Sequence, residues 1–150
     1  VLVVKMKRKP MQLPQEARRL LAPFFPGFDL GRICIYENIP WYVAGNPQGY
    51  ADRYNIYLMP GAYRVDSIEG LALIAHEIAH CCQYRRHGTW RFRALYLTAY
   101  FKNRLRGMSR RDAYLNIPFE IEAREIEARV YLVLRRVRAG VTSRRFHNYD

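Results

Sequence analysis

The sequence predicts an α+β domain, with a small N-terminal β-sheet of about three strands followed by a helical bundle. Before Pro60-Gly61 the apolar residues come in short runs rich in β-branched and aromatic side chains, broken by Asn38, Pro40 and the Gly45-Asn46-Pro47-Gln48-Gly49 segment. After Asp66 they recur at helical spacing, with cap signals and glycines marking starts and stops. The length also fits: 150 residues, half of them apolar and 14% aromatic, suit one domain built on one core.

Residues 1–11 read as a basic arm containing Pro10. Residues 14–24 have helical spacing and stop before Pro26-Gly27. Residues 33–37 and 41–44 are the first two expected strands, residues 45–49 a turn, and the alternating residues 54–59 the third strand. Asp66 with Glu69 has the form of a capping box. It opens a helix through Leu71, Leu73, Ile74 and Ile78 to about Arg86, with Gly88 as its stop. A second helix covers residues 90–105 and ends near Gly107. Ser109 with Asp112 opens a short turn of helix through Tyr114. Pro118 starts the last helix, which runs to Ala139 and stops at Gly140; residues 141–150 are then a basic tail. Its acidic first half (Glu120, Glu122, Glu125, Glu127) and basic second half (Arg129, Arg135, Arg136, Arg138) complement the helix dipole. With no repeat and no linker, residues 1–150 read as a single domain.

No apolar stretch is long enough to span a membrane. Residues 1–4 are too short for the core of a signal peptide. Cys34, Cys81 and Cys82 form no Cys-x-x-Cys pair and read as reduced, mostly buried thiols. That favours a reducing compartment, the cytoplasm, with any export by a non-classical route. The formal net charge of +12, carried almost wholly by arginine, favours acidic partners such as nucleic acid, an anionic membrane face or an acidic protein. There is no recognised nucleic-acid module, and a solvated arginine-rich surface is the preferred reading of the charge.

The chemistry is concentrated in Ala75-His76-Glu77-Ile78-Ala79-His80. A spacing of four puts both imidazoles on one helix face, a turn apart, where two nitrogens can bind one Zn2+. Glu77 is rotated by about 100° from His76, so it misses the metal but can reach a water bound there and take its proton. The plainer reading is two hydrogen-bonded histidines on a core helix; two buried imidazoles beside a carboxylate are costly unless paired. Zinc at a catalytic site usually has three protein ligands and an open position. His87, seven residues after His80, does not fit the metzincin spacing and reads as a helix-end residue. His147 lies in the basic tail, and no cysteine follows Cys82. The third ligand is therefore sought on the last helix, where Glu120 precedes the small Ala123 by one turn. Glu122 points about 200° away and is the alternative, since both cannot ligate together.

His76-Glu77-Ile78-Ala79-His80-Cys81-Cys82-Gln83 resembles the His-Glu-Leu-x-His-x-x-Gln signature of a metallopeptidase domain. That domain recurs in bacterial proteins, including toxins and core proteins linked to extracellular contractile injection systems. Pro118-Phe119-Glu120-Ile121-Glu122-Ala123 resembles its downstream Pro-x-Glu-x-Glu-Ala element, and Glu120 to Ala123 is similar to the third-ligand helix of minimal gluzincins. The resemblance covers residues 51–128; Cys81 and Cys82 depart from it, where small or β-branched apolar residues are commoner. It implies a minimal zincin-like fold, zinc, and hydrolysis of a peptide or protein substrate. By the same resemblance, residues 54–59 would be the edge strand above the active-site helix, with Tyr54, Ile56 and Tyr57 along the substrate. A tetrahedral intermediate also needs an oxyanion donor. Tyr114 is the first candidate, ahead of His87 and an arginine. Two further readings stay open: a non-catalytic, zinc-stabilised binding or assembly module, and a DNA-associated protease.

Overall fold

The computed structural model describes residues 9–40, 42–43 and 47–146, the last six of these by their backbone alone. Helix α1 (Gln15–Leu21) follows Pro14 and runs into a 3-10 turn at Ala22–Phe24. It buries Ala17 and Leu21, four apart on one face. Three short strands follow: β1 (Cys34–Tyr36), β2 (Gly49–Asp52) and β3 (Asn55–Leu58). The helices α2 (Ile68–His87), α3 (Thr89–Leu105), α4 (Arg110–Leu115) and α5 (Pro118–Phe146) complete the fold. The α+β class and the small sheet agree with the sequence pattern.

The sheet differs from expectation in membership and order. The order is β1-β3-β2, with β1 parallel and β2 antiparallel to β3. Residues 41–44 were the expected second strand, but Tyr42 and Val43 lie in a turn and irregular chain, and Trp41 and Ala44 fall outside the described residues. The second strand is instead Gly49–Asp52, at the end of the expected turn; Gly45 and Asn46 are also outside the described residues. It forms because Arg53, at φ 60, allows a tight reversal that lays Asp52 opposite Asn55 and Tyr50 opposite Tyr57.

β3 is consequently the central strand and not an edge. Its backbone is paired on both sides, which leaves no main-chain groups to receive a substrate. Ile56 is fully buried in the core. Tyr57 stacks on Tyr36 and leans against Tyr50. Tyr54 stacks on Phe28, and its hydroxyl accepts a hydrogen bond from Arg32. The assignment of Tyr54, Ile56 and Tyr57 to an exposed edge is thus corrected. Among the described residues, β2 has a strand neighbour only on its β3 side, while Met11 bridges to Ile35 on the far side of β1. Of the expected basic arm, residues 1–8 lie outside the described residues, and Met11 is pinned to the sheet.

α2 runs through the middle of the molecule. Its first turn is capped by Ser67, whose hydroxyl accepts from the Gly70 amide, one residue later than the expected Asp66 cap. Gly88 ends it at φ 79, a value that suits glycine. Ile74 and Ile78 are fully buried, as are β-strand residues Ile35, Ile56 and Leu58. β2 packs on one side of α2, and the first half of α5 packs on another. Ala123, with no exposed surface, permits that helix contact. α4 begins at Ser109, whose hydroxyl accepts from the Asp112 amide as the sequence suggests. Gly140 does not stop α5, which continues to Phe146. A helical glycine costs about 1 kcal/mol but ends a helix only when it turns left-handed, and Gly140 is not among the positive-φ residues. Residues 141–146 of the expected tail are therefore helical, and His147 lies outside the described residues.

Candidate metal centre

α2 carries His76 and His80 one turn apart, with ring centroids 5.0 Å from each other. Both point toward α5, where Glu120 waits in the first turn. Glu120 Oε2 lies 3.4 Å from His76 Nε2, and Oε1 lies 3.2 Å from His80 Nε2. One ligand atom from each of the three residues falls within 4.8 Å of the other two, a cluster that could hold a metal ion. Glu120 is 2% exposed, and its Oε2 has no hydrogen-bond partner. A buried carboxylate oxygen without a donor costs about 1–3 kcal/mol or more, and a cation is the group that would satisfy it. Oε1 is engaged: the Tyr96 hydroxyl donates to it at 2.6 Å.

The outer nitrogens fix the histidine tautomers. His80 Nδ1 is 2.8 Å from Gln83 Oε1. The Gln83 amide cannot be turned round, because its Nε2 donates to the Phe119 carbonyl and to the Glu122 carboxylate, both acceptors. An amide oxygen only accepts, so His80 Nδ1 must carry hydrogen. His76 Nδ1 is 2.9 Å from Glu127 Oε2 and donates for the same reason. Each neutral ring therefore presents the lone pair of Nε2 to the cluster, the arrangement found behind metal-bound histidines.

Charge reinforces this picture. Burial alone would lower the His76 pKa, but the nearby Glu120 and Glu127 carboxylates outweigh burial and push it up to about 10. His80 moves the same way: burial lowers it, and Glu120 raises it more. Burial would raise Glu120, yet the two histidines hold it well below the usual carboxylate range. Without a metal, the Glu120 carboxylate thus favours the protonated form of both rings, and a divalent cation would compete with those protons.

Glu77 is 4% exposed, with one carboxylate oxygen lacking any partner. Burial pushes its pKa up, and the two histidines offset this only in part. It lies against β2: a Cβ on Gly49 would sit 2.3 Å from Glu77 Oε1. Only glycine lets the strand backbone come so close to the carboxylate.

The other expected residues sort clearly. Glu122 is outside the cluster and accepts from Gln83 and Arg86. Tyr114 is 40% exposed; burial of its phenol, then the Glu120 charge, pushes its pKa up, so it stays a neutral donor beside the cluster. His87 packs its ring on Phe119, at the far end of α2. Cys81 is buried and Cys82 half-buried; burial raises both thiols, Cys82 to about 11, which leaves them unreactive.

Sequence reasoning gave no role at the site to Tyr96, Gln83, Glu127 or Gly49. Gln83 could have been found three residues after His80, on the same helix face, and Glu127 two turns after Glu120. Nothing marked Tyr96 among 12 tyrosines. Glu127 also lines a groove of about 790 Å3 with Gln48, Met59, Leu73, Tyr131 and Leu132, so open space reaches the back of His76.

Residues 12–88 match the family model of the eCIS core domain, where eCIS denotes an extracellular contractile injection system. The matched segment takes in the sheet and all of α2 and ends before Glu120. No curated protein and no solved structure matches the chain.

Proposed function

The chain belongs to the eCIS core domain family, and on that premise we propose that it is a zinc peptidase whose metal is held by His76, His80 and Glu120. The observation that carries the reading is that Glu127 and Gln83 hold the two Nδ1 atoms, which leaves both Nε2 atoms facing the Glu120 carboxylate, His76 3.4 Å from Oε2 and His80 3.2 Å from Oε1. Two imidazoles and a carboxylate form a donor set suited to zinc. Zinc there would acidify water and polarise a carbonyl.

The chain's own groups supply the remaining roles. Glu77 takes a proton from the attacking water and returns it to the leaving amine. Its raised pKa suits a group that must hold that proton between the two transfers. Tyr114, neutral and partly open to solvent, is the donor for the developing oxyanion, with Tyr96 fixing Glu120 behind it. An extended peptide would add to β2, the strand next to Glu77, with the groove beyond Glu127 receiving an apolar side chain.

A second reading is a zinc-stabilised assembly module with no turnover. It is favoured by the burial of His76, Glu77 and His80, which are all 9% exposed or less, and by membership of a family named for a multi-protein apparatus. That association is also compatible with export by a non-classical route. Among the described residues no helix is long and apolar enough to cross a membrane.

The two readings separate in one experiment. Zinc-loaded protein is incubated with unfolded protein substrates, and new termini are mapped by mass spectrometry, beside Glu77→Gln. Cleavage by wild type, lost in a Glu77→Gln variant that keeps its zinc, supports the peptidase. Zinc retention without cleavage in either protein supports the assembly module.

A further inference from the structure

α3 has two apolar faces. At about 100° per residue, Phe92, Tyr96, Ala99 and Asn103 fall on one side, and this side packs inward: Phe92 and Asn103 are buried, and Tyr96 reaches Glu120. On the opposite side Trp90, Ala94, Leu97, Phe101 and Leu105 follow one another by steps of three or four residues. Trp90 is 81% exposed, Leu97 53%, Phe101 59% and Leu105 90%. A lone exposed apolar residue needs no explanation, but a run in register along the whole helix does. Cations flank it, with Arg91 and Lys102 along one border and Arg104 along the other, where Arg93 is already paired with Asp52 at 3.1 Å. The helix holds no Asp or Glu. It begins at Thr89, just beyond the segment matched to the family.

We propose that the outer face of α3 docks an acidic amphipathic helix of another protein, with apolar seam on apolar seam and carboxylates against the flanking cations. The seam occupies about 80° of arc, narrower than an ordinary amphipathic face and matched to a single partner helix in a coiled-coil contact. The charge sets the partner's sign. A second copy of α3 fits poorly, because in either direction it brings arginine and lysine against arginine and lysine. A lipid surface would call for a broader apolar sector than this one.

The test uses the full chain and two synthetic helical peptides, both with leucine at the seam positions. One carries glutamate on both flanks and the other lysine. Binding is read by fluorescence anisotropy at low and high salt, together with pelleting on phosphatidylserine-containing vesicles and sedimentation of the protein alone. The glutamate peptide is expected to bind at least about tenfold tighter than the lysine peptide, and more weakly at high salt. Phe101→Glu and Leu97→Glu should each lose that binding with an unchanged melting temperature, since both residues are on the surface. The pair Arg91→Glu with Lys102→Glu should shift preference toward the lysine peptide. Equal binding of the two peptides would overturn the proposal, as would vesicle binding without peptide binding. A wild-type dimer that Phe101→Glu dissociates would also overturn it and assign the face to a second copy.

Discussion

Gln83→Leu removes the amide that holds His80 while keeping nearly the same volume. Gln83 has no exposed surface, and its amide joins His80 Nδ1 on α2 to the Phe119 carbonyl and Glu122 on α5, over distances of 2.8 to 3.0 Å. The variant leaves the His80 N–H without an acceptor and frees the ring to turn or change tautomer. Loss of a partner behind a ligating histidine typically costs about 10–100-fold in metal affinity, or roughly 1.4–2.8 kcal/mol. A stranded buried donor costs the fold a similar amount, about 1–3 kcal/mol. Both can be read on one preparation: zinc affinity by competition with a chromogenic chelator, and metal-free stability by urea denaturation. Glu122→Ala is the control, because it removes a Gln83 partner but no ligand atom; its zinc affinity should stay within about threefold of wild type. If Gln83→Leu binds zinc as wild type does, the amide is not what orients His80, and the tautomer argument fails.

Further outcomes follow from the same geometry. Gly49→Ala places a Cβ 2.3 Å from Glu77 Oε1 and 2.7 Å from its Cδ. The strand or the carboxylate must move, so a melting temperature lower by roughly 3–10 °C is expected in calorimetry, with zinc affinity little changed. In the metal-free protein, His76 keeps its proton up to about pH 10, whereas in the unfolded chain it loses it near 6.5. The folded state therefore binds the extra proton between those values, and this contribution is full below pH 6.5 and lost as pH rises through about 10. The loss runs at up to about 1.4 kcal/mol per pH unit. Urea titrations across that window should show the slope in metal-free protein. Zinc-saturated protein should lose it, since bound histidines are neutral in both limits, and zinc affinity should rise with pH over the same range.

The central helix was legible because its signals are local. His76 and His80 four apart, apolar flanks, and a glycine after the last turn all act within one element, and the structure agrees within two residues at each end. Preference for Glu120 over Glu122 rested on about 200° of helix rotation between them; both carboxylates in fact reach α2, Glu120 at the two histidines and Glu122 at Gln83 and Arg86 further along it. The sheet was legible in part: β1 and β3 lie within the expected residues 33–37 and 54–59, whereas β2 and the strand order were missed. Gly49-Tyr50-Ala51-Asp52 has no β-branched residue, and it becomes a strand through pairing with β3 beyond the tight reversal at Arg53. Strand order is likewise a property of the packed sheet, so the alternation of residues 54–59 could not reveal that β3 is central. Glu127 has a second role invisible in one dimension: on the helix it suits the dipole, and in the fold it holds His76. Gly140 misled because a glycine near a helix end usually stops it, whereas α5 continues through it.

The most direct test is the metal itself. Protein purified and supplied with zinc is weighed by native mass spectrometry, wild type beside His80→Ala, Glu120→Ala and Glu122→Ala. One zinc per chain in wild type and Glu122→Ala, lost in His80→Ala and Glu120→Ala, is the predicted result. A wild-type chain that takes up no zinc, or one that keeps it without Glu120, would contradict the site described.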